Sequence, residues 1–98
     1  MVEVLWSDLA LKQLKKAYDY IKKESFQSAL KVRDDIFHET ENLKHSPEIH
    51  PLDKYRKNND GSIRAFEIYS YRIAYQVTPL EIRILRVRHT KREPLKYH

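Results

Sequence analysis

The side chains best suited to chemistry crowd into the C-terminal third of the sequence. Between Ser62 and His98 stand Arg64, Arg72, Arg83, Arg86, Arg88, Lys91, Arg92 and Lys96, opposed only by Glu67, Glu81 and Glu93. The residues before Ser62 are balanced in charge, so this third supplies the whole formal net charge of +5. Arginine stays charged at any physiological pH, and its planar fork meets phosphate oxygens two at a time. The segment therefore suits a nucleic-acid backbone or an acidic protein, while net charge alone also serves solubility. His89 adds an imidazole that titrates near neutrality. Tyr97 adds a phenol whose anion would be favoured among cations. Tyr69, Tyr71 and Tyr75 are interleaved with the arginines, and such rings can stack splayed bases. Tyr71 and Tyr75 share strand parity with Ile73 and Val77, which favours core packing for both; Tyr69, nearer a turn, is more open to binding.

Other clusters carry less. Lys54, Arg56 and Lys57 form a basic loop that can reach phosphates of a distant nucleotide. Lys12, Lys15, Lys16 and Lys22 read first as the wet face of a helix and only second as a nucleic-acid contact. His38, Glu41 and His45 fall at helical spacing, but a solvated helix end explains them better than a shared metal, and neither metal nor cofactor is expected. Cysteine is absent, which removes disulfides, thiolate metal sites and cysteine nucleophiles.

The elements that must position these groups follow from patterning. Val2 to Trp6 is apolar with β-branched and aromatic residues, and reads as a strand. Ser7 is an N-cap signal with Asp8 in the first turn, and Ala10, Leu14, Ala17, Tyr18 and Ile21 then recur at helical spacing. Ser25 can cap a second helix whose stripe is Phe26, Ala29, Leu30, Ile36, Phe37 and Leu43, ending before Pro47. Residues 47–61 carry Pro47, Pro51, Asn58, Asn59, Asp60 and Gly61, the composition of a loop. Ile63–Tyr69, Tyr71–Thr78 and Glu81–His89 read as three strands joined tightly enough to pair antiparallel. The expected order is β-α-α-β-β-β: an α+β fold with a helix hairpin on one face of a small antiparallel sheet. Alternation then places Arg72, Arg86 and Arg88 together on the open face. Ile82 and Ile84 share the parity of Arg86, so either a bulge intervenes in the last strand or the open face begins apolar.

With 98 residues the chain has room for one core, and a single domain over residues 1–98 is expected. No apolar run approaches a membrane span and the first residues lack a secretory leader, so a cytoplasmic location away from membranes is expected.

The segment Tyr71-Arg72-Ile73-Ala74-Tyr75-Gln76-Val77, followed by Ile84-Leu85-Arg86-Val87-Arg88-His89-Thr90-Lys91-Arg92-Glu93-Pro94, resembles the RelE/ParE family of bacterial toxins. The Tyr-Arg-x-x-Tyr strand and the His-x-x-Arg-x-Pro tail are the specific parts, and the element order agrees over the whole chain. The resemblance implies a toxin of a type II toxin-antitoxin system, neutralised by an antitoxin encoded beside it and expected to be acidic. RelE-like members cut messenger RNA on the ribosome without a metal, whereas ParE-like members poison DNA gyrase. Carried over by position, Arg72 matches the strand arginine that RelE-like enzymes set on the scissile phosphate, and Arg92 the second phosphate-binding arginine. Tyr97 falls near the C-terminal catalytic tyrosine, one residue short in spacing. His89 has counterparts in YoeB and HigB, nucleases that use a C-terminal histidine. Arg64 aligns with a basic residue of the preceding strand, while Phe66 stands where a second lysine is expected. Glu48 and Asp53 lie in the loop where YoeB-like members carry a carboxylate base.

Cleaving RNA by its own 2′-hydroxyl needs a base, positive charge on the crowded phosphate and an acid for the leaving oxygen. The resemblance gives Arg72 and Arg92 to the phosphate and His89 or Tyr97 to proton transfer; the basic loop of Lys54, Arg56 and Lys57, together with Arg64, Arg86, Arg88 and Lys91, supplies candidates for contact with the nucleic-acid backbone. The leading expectation is a metal-independent, ribosome-dependent mRNA endoribonuclease. A gyrase inhibitor without nuclease chemistry is the alternative, as is a non-toxic domain that only binds its antitoxin. On the nuclease reading, Arg72→Ala and Arg92→Ala abolish growth arrest and leave the fold intact.

Overall fold

The computed structural model of the chain describes residues 2–91. Within them run β1 (Glu3–Trp6), α1 (Asp8–Lys22), α2 (Phe26–Asn42), β2 (Ile63–Ile68), β3 (Tyr71–Val77) and β4 (Glu81–His89). The order is the one expected from patterning. The start signals act as anticipated: the Ser7 hydroxyl accepts from the Ala10 amide at 3.0 Å, and the Ser25 hydroxyl from the Ser28 amide at 3.1 Å. Each satisfies one of the amides that a helix start leaves unpaired. The Ser7 amide also donates to the Ile84 carbonyl at 3.0 Å, which ties the start of α1 to β4.

The sheet runs β1-β4-β3-β2. Its last three strands form the expected antiparallel meander, but β1 lies parallel to β4, so the sheet is mixed. Parallel neighbours need a long crossover, and here the helix hairpin and the other two strands provide it. The β2–β3 connection is two residues, Tyr69 at φ 53° and Ser70 at φ 68°, left-handed backbone of the kind that tight hairpins require.

Both helices cover one face of the sheet. Ala10, Leu14 and Ala17 of α1 and Ile36 of α2 pack with Phe66, Tyr71, Ile73, Tyr75, Ile82, Ile84 and Val87. Tyr71 and Tyr75 are therefore core residues, and the Tyr75 hydroxyl donates to the Pro47 carbonyl at 2.8 Å. Ile82, Ile84 and Val87 reach the same face because the β3–β4 register shifts between Ala74 and Tyr75: Ala74 pairs with Arg86 and Tyr75 with Ile84, leaving Leu85 over. The bulge is the first of the two solutions that the parity conflict allowed. The buried stripe of α2 is narrower than its spacing suggests, since Phe26 is 53% exposed and carries the Lys22 ammonium 5.8 Å from its ring centre.

The segment 47–61 does not stand off as a loop. The Asp53 amide donates to the Ile63 carbonyl at 2.9 Å and the Ala65 amide to the Pro51 carbonyl at 3.2 Å, while Leu52 bridges to Arg64. The outer edge of β2 is thereby closed. The chain then turns onto the open face of the sheet, where Tyr55 packs against Ala65 and Ala74.

Candidate functional site on the arginine face

The small side chains of Ala65 and Ala74, paired across β2 and β3, leave a shallow floor on the open face, and Tyr55 fills it. Arg72 projects beside them, and both terminal nitrogens and one face of its guanidinium are engaged, while its buried Nε has no hydrogen-bond partner among the described residues. Nη2 donates to the Asp53 carboxylate at 2.9 Å, Nη1 to Glu67 at 3.1 Å, and the guanidinium carbon lies 4.7 Å from the centre of the Tyr55 ring. The Arg72 side chain is 9% exposed and that of Asp53 is 0% exposed. An ion pair so far out of water survives only with close geometry and further hydrogen bonds. Asp53 has them, also accepting from the Tyr55 amide at 3.1 Å.

The face also holds Arg88, opposite Arg72 in register and only 4% exposed, and Arg86, opposite Ala74 and half-buried. Arg72, Arg86 and Arg88 thus share the open face, as strand parity foretold. Farther along, Arg83 is exposed and paired with Glu81 at 3.1 Å. Lys54 and Lys57 are exposed and Arg56 half-buried in the segment that carries Tyr55. The Lys54 ammonium sits 5.3 Å from the Tyr55 ring centre. Lys91 is exposed just beyond β4.

Other residues of the expected constellation are not brought to this face. Arg64 pairs in register with Tyr75 and so has the helix-side parity. Its guanidinium donates to the His50 carbonyl at 2.7 Å and to Glu48 at 3.3 Å, which makes Arg64 and Glu48 fasteners of the loop. Phe66 shares that parity; it is a core residue stacked 4.5 Å from the His50 ring, which accounts for an aromatic where a lysine was looked for. His89 pairs with Tyr71, the two rings edge to face at 5.2 Å, and its Nδ1 accepts from the Lys91 amide at 3.1 Å. His89 and Arg72 therefore have opposite parity. Arg92 and Tyr97 lie outside the described residues. Tyr69 is 45% exposed and its hydroxyl donates to Asp35 at 2.5 Å, a bond that raises the pKa of the phenol. Among the described residues no three His, Asp or Glu side chains gather as a metal site would require.

Sequence reasoning noticed Asp53 but had no means of placing it. Tyr55 went unremarked, although an aromatic ring within a basic polar loop is a signal that the loop folds back onto something.

This arrangement of two helices on a four-stranded mixed sheet occurs in solved structures. The chain superposes with TM-score 0.72 on a chain of the chromosomal ParDE toxin-antitoxin system from P. aeruginosa, at 23% identity, covering 93% of this chain and 98% of that one. With the YoeB dimer from Staphylococcus aureus the TM-score is 0.57 at 17% identity, covering 99% and 97%. The fold is therefore that of the RelE/ParE toxins. A comparison with curated proteins returns no match. The family profile of the ParE toxin of the type II toxin-antitoxin system parDE matches residues 4–94, nearly the whole chain, and the chain belongs to that family. No helix among the described residues is long and apolar enough to cross a membrane.

Proposed function

We propose that this toxin acts as ParE-type members do, by binding a protein target of the gyrase class, and that a cognate antitoxin neutralises it. The observation that carries the reading is the engagement of Arg72. A nuclease arginine must offer a free fork to the phosphate in the transition state. Here both terminal nitrogens are spent on carboxylates and one face on an aromatic ring. Releasing it would take the guanidinium away from the fully buried Asp53 carboxylate. The match to the ParE profile supports the same choice, as does the parity that separates His89 from Arg72.

The nuclease reading keeps one observation in its favour. His89 is a half-exposed imidazole next to the exposed Lys91 at the end of β4, where a proton-transfer group and a phosphate contact could meet. Two assays separate the readings. With purified gyrase the protein should inhibit supercoiling, and in a translating extract the messenger RNA ends should be unchanged. Ribosome-dependent cuts with unaffected supercoiling would overturn the proposal in favour of an mRNA endoribonuclease.

A further inference from the structure

The turn between β2 and β3 is built from residues that its backbone disfavours. Ile68 pairs with Tyr71 in register, so Tyr69 and Ser70 are the whole connection, and both stand at positive φ, 53° and 68°. That is the conformation of a type I′ turn, for which Asn-Gly is the preferred pair because left-handed backbone crowds the Cβ of other residues. The other left-handed positions among the described residues are Asn58 and Gly61, the two residue types that tolerate it. A bulky ring at such a position is the exception in this chain. It is also fixed from two sides: the Tyr69 hydroxyl donates to the Asp35 carboxylate of α2, which pairs with Lys31 at 3.3 Å, and the Thr90 amide donates to the Ser70 carbonyl at 2.9 Å. The core gains little from this, since Tyr69 is 45% exposed. A residue kept in a disfavoured conformation, held in place and left half in water points to a use outside the fold.

We propose that the Tyr69 ring is the anchor through which this toxin grips its protein target, an inference that rests on the gyrase-class target proposed above. Tyrosine is among the side chains that carry most of the energy of protein contacts, being large, amphipathic and rotatable about only two torsions. The bond to Asp35 sets the orientation of the ring before a partner arrives, so little conformational freedom is left to lose on binding. The partner surface that fits is an apolar depression wide enough for one ring, with a carboxylate at its edge to meet the exposed Lys31. Stacking on a nucleic-acid base fits less well. The Asp35 carboxylate lies against the hydroxyl end of the ring, where it repels the phosphates that flank a stacked base.

The test uses the full chain and three variants. Tyr69→Asn/Ser70→Gly installs the pair that a type I′ turn prefers and removes the ring; Ser70→Gly relaxes the turn and keeps the ring; Tyr69→Phe keeps the ring without its bond to Asp35. Thermal melting should place the double variant and Ser70→Gly at or above the wild type, because the turn is relieved and an exposed hydrogen bond contributes little. In a gyrase supercoiling assay the concentration for half inhibition should rise at least about tenfold in the double variant. It should stay within about threefold of the wild type in Ser70→Gly and Tyr69→Phe. Full inhibition by the double variant overturns the proposal, as does an equal loss in Ser70→Gly. A double variant that melts below the wild type, with Tyr69→Phe losing stability and inhibition alike, makes the hydroxyl bond a structural latch and sinks the anchor. Inhibition retained while poly(U) binding falls assigns the ring to a base instead. If the wild-type chain leaves supercoiling untouched, the gyrase reading itself fails before any variant is compared, and this inference falls with it.

Discussion

At the scale of single residues, Arg72 changes meaning between sequence and structure. Its motif suggests a residue waiting for phosphate, whereas its surroundings make it the pin that holds residues 53–55 to the sheet. Arg72→Ala should therefore cost about 3–5 kcal/mol of stability, because it takes the Arg72 guanidinium away from the fully buried Asp53 carboxylate. Loss of toxicity in that variant would say nothing about catalysis. The informative variant is Arg72→Met with Asp53→Leu, which removes both charges and keeps the volume. Its urea midpoint should return close to wild type. Retained growth arrest in this variant is expected on the gyrase reading, and abolished growth arrest in a stable double variant would return Arg72 to the target-binding surface.

At the scale of elements, the stacking of His50 between loop and core gives the fold a pH dependence. Burial lowers the pKa of His50 below its ordinary 6.5, so the unfolded chain takes up the proton first. Stability from this group is complete above about pH 6.5 and declines as pH falls from there through the lowered folded value. The contributions of Asp35 and Asp60, whose pKa values are lowered from 3.8, fade only at far more acidic pH. Chemical denaturation between about pH 6.5 and 5 should therefore show a slope in the wild type that His50→Gln largely removes. An unchanged slope would remove His50 from the account. The elements themselves were legible because caps and period-2 or helical spacing are local signals. Alternation put Arg72, Arg86 and Arg88 on one face and detected that something was wrong near Ile84, but a bulge and an apolar open face give the same pattern. Only pairing with β3 decides between them. The Asp53–Arg72 contact was not legible at all, since it joins a segment without periodicity to a strand, and nothing in either stretch specifies the other. Phe26 misled because a stripe records direction along a helix and not what lies opposite.

At the scale of the whole molecule, the two faces of the sheet have different duties. The helix face supplies the core; the opposite face holds arginines that are largely occupied or buried. Net charge is therefore a poor guide to where this protein binds, because Arg72 and Arg88, two of the cations behind the excess, are almost out of water. The closing of the sheet has a further consequence. Among the described residues β1 hydrogen-bonds only to β4, with Glu3 opposite Glu81 and Trp6 opposite Ile84, so the first strand made must wait for the last. Contacts of such long sequence separation form late, and a nascent chain cannot make them until β4 has cleared the ribosome. Chains stalled before Glu81 should be cut rapidly by protease, and released chains should resist it. Resistance in the stalled chains would show that the helix hairpin folds without its sheet. The last strand thus sets the moment at which the toxin fold is complete, because until β4 has emerged β1 has no strand to lie against.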